Sequence, residues 1–405
     1  MDVTRMGERP IQRFEVKRLT LTGANAGERF VLVIDADTRW PIALVNEYLM
    51  IVLRLIVASS TLYRAATALA LFLSWGATNG VDVAARLLSG ETFTKNELNT
   101  SLRTFLRKPR RRAGDNKTQN IVTSNDEFRK RVWAIRKFCG QVMDDVMSRA
   151  PERRLRALNI RKELLNRMLT ELLPRKNAPA KRIALTDKQV AELIRLTAPE
   201  CHENAWVRPA VRVRNQVIVL LFLLCGLRRG ELLKLQVNDI RLEKLQIAVC
   251  RRPDDALDPR IIEPNVKTAA RLLPIPPALA SILESYILDH RRQIRNATRG
   301  PYLVVSSKDG QPLTVSATNK VIVDIRDSWP TLFPGLKPHI LRHTFFENVK
   351  RVMAESQTVP ASKVKTGNYL MGWAGDNSST YEQGAIAKQA FDVAKEYQQQ
   401  LFGES

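Results

Sequence analysis

Cysteine is scarce in this chain. Cys139, Cys201, Cys225 and Cys250 stand in 405 residues without any paired spacing, which excludes a disulfide framework. Cys201 and His202 are adjacent, whereas zinc ligands come in pairs a few residues apart, so no metal centre is expected. Long apolar runs are also missing. A membrane helix needs about 20 apolar residues; the longest run here, Val217 to Leu224, is closely flanked by Arg214 and Arg228 and reads as a buried helix. The opening MDVTRMGERPIQRF lacks the apolar core of a signal peptide. The expectation is a reduced cytoplasmic chain, not associated with a membrane.

Acidic residues are the next shortage: 41 Asp and Glu against 64 Lys and Arg, a formal charge of +23. A chain so basic is drawn to polyanions, nucleic acid before a membrane surface, since no amphipathic basic helix dominates. What is present in quantity is apolar residue, 44% of the chain, enough for real cores. The length suits two or three domains.

Residues 1–40 contain two strand-like pieces, Phe14 running to Leu21 and Phe30 to Ile34, around the turn-forming GANAG. They read as an N-terminal extension with a β-hairpin. From Pro41 the pattern is helical: Leu62, Ala66, Leu69 and Leu73 recur at helical spacing, until Asn79-Gly80 stops the run. Further helices are predicted near 94–106, 125–148 and 155–173. A basic loop over 107–120 carries Arg107, Lys108, Arg110, Arg111 and Arg112. It reads either as a solvated charge run or as a track for a phosphate backbone. The stretch 176–182 has linker composition, and Thr186 or Asp187 is the candidate N-cap of the helix after it.

Four segments of the second half hold the chemistry-bearing residues. In CGLRRGELLKLQVNDI (Cys225 to Ile240) one helix ends at Gly226 and another starts by Glu231, with Arg228 in the turn; alone, that Arg reads equally as a helix-terminus salt bridge. In NVKTAARLLPIP (Asn265 to Pro276), Lys267 is expected to open a strand over 267–275, paired with a strand over 242–250. A strand-edge Lys is ordinarily a solubility device. In KPHILRHTFFENV (Lys337 to Val349), His339 and Arg342 are three apart and share one helix face. In LMGWAGDNSSTYEQGA (Leu370 to Ala385), a helix ends near Gly372, and Tyr381 sits where the next begins. By itself Tyr381 reads as an interface tyrosine.

Taken together and in this order, the segments resemble the tyrosine recombinase, or phage integrase, family over about 186–385. Gly226, Leu227, Arg228 and Glu231 match its G-L-R-x-x-E motif, and His339 to Thr344 its H-x-L-R-H-T box. Leu370 to Trp373 match its L-x-G-[HW] box, and Lys267 lies in the K-T…P-I-P setting of its hairpin lysine. The eight residues from Trp373 to Tyr381 are one short of the usual spacing. Ala269 replaces a common Gly, and RRPDDALDP is an unusual insert between the hairpin strands.

The resemblance implies a mainly α protein with a small β-sheet: a helical core-binding domain over 41–175 and a mixed α/β catalytic domain over 183–405. It implies Arg228, Lys267, His339, Arg342, Trp373 and the nucleophile Tyr381 as catalytic residues. Glu231 is expected to orient the Arg or His cluster, and His343 to be structural. The partner is double-stranded DNA, the assembly a homotetramer, and no metal or other cofactor is implied. The terminal helix, 386–402, has an apolar face of Ile386, Ala390, Val393, Tyr397 and Leu401. That face must pack on its own domain or on a neighbour, and the resemblance implies the neighbour. Two other readings stand beside this one: a type IB topoisomerase, and a DNA-binding accessory protein of recombinase descent that no longer cuts.

Overall fold

The computed structural model describes residues 13–23, 26–107, 123–175, 183–266, 268–355, 360–373 and 380–402. Lys108, Arg110, Arg111, Arg112 and Lys267, and all of the stretch 176–182, therefore lie outside the described residues. The chain divides into two compact units, residues 1–179 and 180–405.

The first unit opens with an antiparallel hairpin, β1 (Phe14–Thr20) and β2 (Arg29–Asp35), in register Phe14↔Asp35 to Thr20↔Arg29. Six α-helices follow: α1 (Ala43–Glu47), α2 (Ser59–Thr78), α3 (Val83–Leu88), α4 (Arg103–Arg107), α5 (Asn125–Ser148) and α6 (Glu152–Glu171). The hairpin is not a free extension. It lies on α2, and Phe14, Val31 and Val33 enter the same core as Leu62, Ala66 and Leu69. The helical spacing seen in the sequence is the buried face of α2, which ends just before Asn79. Phe72 and Trp75 stack at 5.7 Å, with Phe93 edge-on to both. Ser124 caps α5 by accepting from the Glu127 N–H at 3.3 Å.

The second unit holds α7 (Asp187–Thr197), α8 (Pro209–Leu224), α9 (Arg229–Lys234), α10 (Pro277–Ser285), α11 (Val315–Ser328), α12 (Pro338–Glu355), α13 (Pro360–Met371) and α14 (Thr380–Phe402). Its small antiparallel sheet is ordered β3 (Ile240–Arg241), β4 (Gln246–Val249), β5 (Arg271–Pro274). Thr186 is the N-cap of α7: it accepts from the Gln189 N–H at 3.2 Å, while its own N–H donates to the Gln189 side chain at 3.0 Å. Every residue of the run Val217 to Leu224 is buried, as befits a helix that is apolar on all sides. The fold is mainly helical with small antiparallel sheets, the class expected.

Two local expectations are corrected. The strands are shorter than 242–250 and 267–275, because the chain entering β5 is diverted to other partners: Thr268 bonds to Glu231, and the Ala269 N–H donates to the Gly372 carbonyl at 3.3 Å. The terminal helix α14 packs most of its apolar face on its own unit. Ala390, Val393, Ala394 and Tyr397 are buried in their own unit, the Tyr397 ring meets Phe345 at 5.6 Å, and Gln398 donates to the Leu224 and Pro274 carbonyls at 3.0 and 2.9 Å. α13, α12 and β5 pack against the helix, while Ile386 and Leu401 stay half-buried. Among the described residues no helix is long and apolar enough to cross a membrane.

Candidate active site

The site is assembled around Glu231, which is 1% exposed. It stands in the first turn of α9, where a carboxylate reaches back to the N-cap: the Arg228 N–H donates to it at 2.7 Å. Arg271, on the buried face of β5, forks onto both its oxygens at 3.1 Å. The Thr268 hydroxyl bonds to the same carboxylate. The guanidiniums of Arg342 and Arg228 stand 3.6 and 3.7 Å from it. Burial raises the Glu231 pKa, but Arg271, Thr268 and the Arg228 N–H outweigh it and hold the carboxyl below its ordinary range.

Arg228 and Arg342 meet at one point. Arg228 donates to the Met371 carbonyl at 3.1 Å and Arg342 to the same oxygen at 2.6 Å; Arg342 also donates to the Gly226 carbonyl. Burial pushes the Arg342 pKa down to about 9, with Glu231 opposing and Arg228 and Arg271 reinforcing the fall. It stays charged at neutral pH. Three guanidiniums against one carboxylate leave the place cationic. Arg228 keeps a third of its side chain in solvent, so an anion reaching the pair meets it first.

The end of α13 is shaped to receive these groups. Gly372 has φ +58°, and a Cβ there would stand 2.6 Å from a guanidinium nitrogen of Arg271 and 2.8 Å from Thr268, so only glycine fits. Trp373 follows, 44% exposed, with its ring edge-on to Phe346 at 5.2 Å. His339 lies exposed in the first turn of α12, one turn before the buried Arg342. His343 is half-buried, 3.8 Å from Glu347. The backbone of Tyr381 lies in the first turn of α14; its side chain is outside the described residues, as is Lys267.

Residues 184–373 match the model of the phage integrase family. This part of the chain belongs to the phage integrase family, the tyrosine recombinases. Among solved structures, the fold of this chain is similar to that of XerA recombinase, at 17% identity over 89% of this chain and 98% of that one, with a TM-score of 0.36. It is similar to XerH site-specific recombinase bound to its difH substrate, at 16% identity over 82% and 77%, TM-score 0.45. The integrase from mycobacterium phage Brujita matches at 13% identity over 87% and 92%, TM-score 0.34. No curated protein matches the chain.

Of the residues picked from the sequence, the structure brings Arg228, Glu231 and Arg342 together, with Trp373 two residues beyond the carbonyl they share. Arg229, adjacent to Arg228, turns away and donates to Asn319 at 2.7 Å. Arg107, in the last turn of α4, is engaged with Asn125 at 2.8 Å and lies over the Phe128 ring at 4.1 Å. Arg271 and Thr268 were missed. Arg271 had a signal: it shares strand parity with Leu273, so its side chain points inward, and a buried cation demands a partner. Cys201, His202 and Glu203 bring possible ligand atoms within 4.8 Å of one another, but Arg195 already occupies that place, 2.6 Å from Glu203 and 3.9 Å from the Cys201 sulfur.

Proposed function

We propose that this recombinase is a site-specific integrase that cuts and rejoins duplex DNA through a 3′-phosphotyrosine. Its catalytic residues in this reading are Arg228, Lys267, His339, Arg342, Trp373 and Tyr381. Residues 41–175 form the core-binding domain, 183–405 the catalytic domain, and the loop carrying Arg107, Lys108, Arg110, Arg111 and Arg112 contacts DNA phosphates. The observation that carries the reading is the convergence of Arg228 and Arg342 on one carbonyl, in a cationic place backed by a buried carboxylate.

A phosphodiester has two nonbridging oxygens and one negative charge; in-line attack adds another. Two guanidiniums already gathered at one point fork onto those oxygens without reorganising. Removing one preorganised donor from a site of this kind costs about 3–4 kcal/mol at the transition state. The Tyr381 phenol gives up its proton, assisted by His339, and its oxygen bonds to phosphorus as the P–O5′ bond breaks. Lys267 gives the leaving 5′ oxygen its proton. The Trp373 indole N–H donates to the phosphate and can take no proton. One phosphodiester replaces another, so strand joining by the reverse step needs neither ATP nor metal. Two such exchanges within a homotetramer pass through a Holliday junction.

The test is covalent trapping on nicked duplex DNA. Wild type is expected to form a protein–DNA adduct, and Tyr381→Phe none, with DNA affinity unchanged because affinity comes mainly from phosphate contacts. An adduct that persists in Tyr381→Phe sinks the assignment of the nucleophile. No adduct from wild type favours a non-cutting accessory protein. Adducts without joining of two marked sites favour a topoisomerase.

A further inference from the structure

The insert RRPDDALDPRIIEPN, 251–265, looks in sequence like a polar loop, yet in the fold it is pinned by buried charges. Lys234 closes α9 and is 1% exposed. Its ammonium bonds to Glu263 and lies 3.0 Å from Asp258. Arg260 forks onto Asp258 at 2.7 and 2.8 Å and donates to the Leu313 and Leu233 carbonyls. Glu263 accepts from the Asp254 and Asp255 N–H groups at 3.1 Å, and the Tyr302 hydroxyl donates to Asp255 at 2.6 Å. The Asn265 carbonyl lies so close to α9 that a Cβ on Gly230 would stand 2.1 Å from it.

Glu231 and Lys234 are three residues apart on α9 and so share a face. Glu231 holds Thr268 and Arg271, which follow position 267; Lys234 holds Asp258 and Glu263, which precede it. One short helix thus grips the chain on both sides of 267, with opposite charges, and the same helix carries Arg228 at its N-cap. Taking such charges out of water costs several kcal/mol per ion, and Coulomb attraction offsets this only in a good geometry. A single, fixed geometry is therefore what the arrangement supplies best.

We infer that Lys234 is a positioning residue for strand cleavage: with Glu231 it forms a two-point clamp that fixes the chain around position 267 relative to Arg228, and so aims the general acid. The inference rests on the proposed role of Lys267. A misplacement of about 1 Å in a reacting group costs about 10²-fold in rate, so loosening one end of the clamp is enough to show.

The experiment is single-turnover cleavage by the full chain on two duplexes, one ordinary and one with sulfur at the bridging 5′ position. Sulfur leaves without protonation, so it relieves only a defect in the acid. Lys234→Met is expected to slow cleavage of ordinary DNA by about 10- to 100-fold. On the sulfur duplex it should stay within about twofold of wild type, as a defect confined to proton donation requires. In a Lys267→Ala background, Lys234→Met should add no further loss. Equal slowing on both duplexes, or a full further loss in the Lys267→Ala background, makes Lys234 a structural residue only and overturns the inference. If Lys267→Ala is itself not rescued by sulfur, the acid assignment fails first. Should Lys234→Met not fold, Glu263→Gln, which keeps Asp258 beside the ammonium, carries the same two-duplex comparison.

Discussion

In residues 1–179 the core is made of rings and aliphatic side chains: Phe72, Trp75 and Phe93 form one group, and Tyr48 meets Phe138 at 5.4 Å. Ion pairs such as Lys130–Asp126, Lys162–Asp144 and Arg86–Glu97 lie in solvent or half in it. Residues 180–405 also have an apolar core, but Glu231, Lys234, Asp258, Arg260, Arg271 and Arg342 are buried beside it. Among its described residues the first unit buries three charged side chains, Arg29, Asp35 and Arg131, and the exposed pairs are cheap to lose. The second unit gathers guanidiniums at one point and holds them with a buried counterion, which is costly to remove.

The sharpest way to break this contrast is Glu231→Gln. It leaves Arg271 and Arg342 buried without their carboxylate, and removing one partner of a buried pair costs about 3–5 kcal/mol. Denaturant unfolding followed by a probe in the second unit should read that loss at neutral pH. The folded pKa of Glu231 is depressed, so its contribution is present above the unfolded value and is lost as pH falls through the folded one. The gap between wild type and Glu231→Gln should therefore narrow below about pH 4.5. A gap that is small at neutral pH, or that widens in acid, contradicts the counterion role.

The next effect is on rate. Arg228→Lys and Arg342→Lys keep the charge but lose the planar fork, and each should slow cleavage by about 10²-fold or more. Arg229→Lys is the control: its guanidinium faces Asn319, and single-turnover cleavage should change little. Equal damage at all three positions would mean that the pair on the Met371 carbonyl has no special part.

The smallest effect is expected in the first unit. Lys162→Met removes the half-buried partner of the exposed Asp144, and surface pairs are worth about 0–1 kcal/mol. A shift in stability as large as that of Glu231→Gln would erase the difference between the units.

The amphipathic helices of the first unit were legible because their signal is local. Leu62, Ala66, Leu69 and Leu73 carry the period of α2, and in the second unit Thr186 announces α7 within four residues. The turn placing Arg228 at the head of α9, and the start of α14 beside Tyr381, were legible in the same way. The paired strands β4 and β5 were legible but their bounds were not, because the residues before β5 spend their hydrogen bonds on Glu231 and Gly372 instead of a ladder.

By itself the sequence determined the helix periods, the order of the four motifs and the identity of their charged residues, all properties of neighbours within a few positions. Only the tertiary structure decided that Arg228 and Arg342 share a carbonyl that is 143 residues from the first and 29 from the second. It alone turned Arg229 to Asn319, made Glu231 the counterion of Arg271, folded the acidic insert onto Lys234, and laid α14 on its own domain. Those choices depend on which buried charge finds its partner and which apolar face finds cover once the whole core has closed, and no local period encodes either.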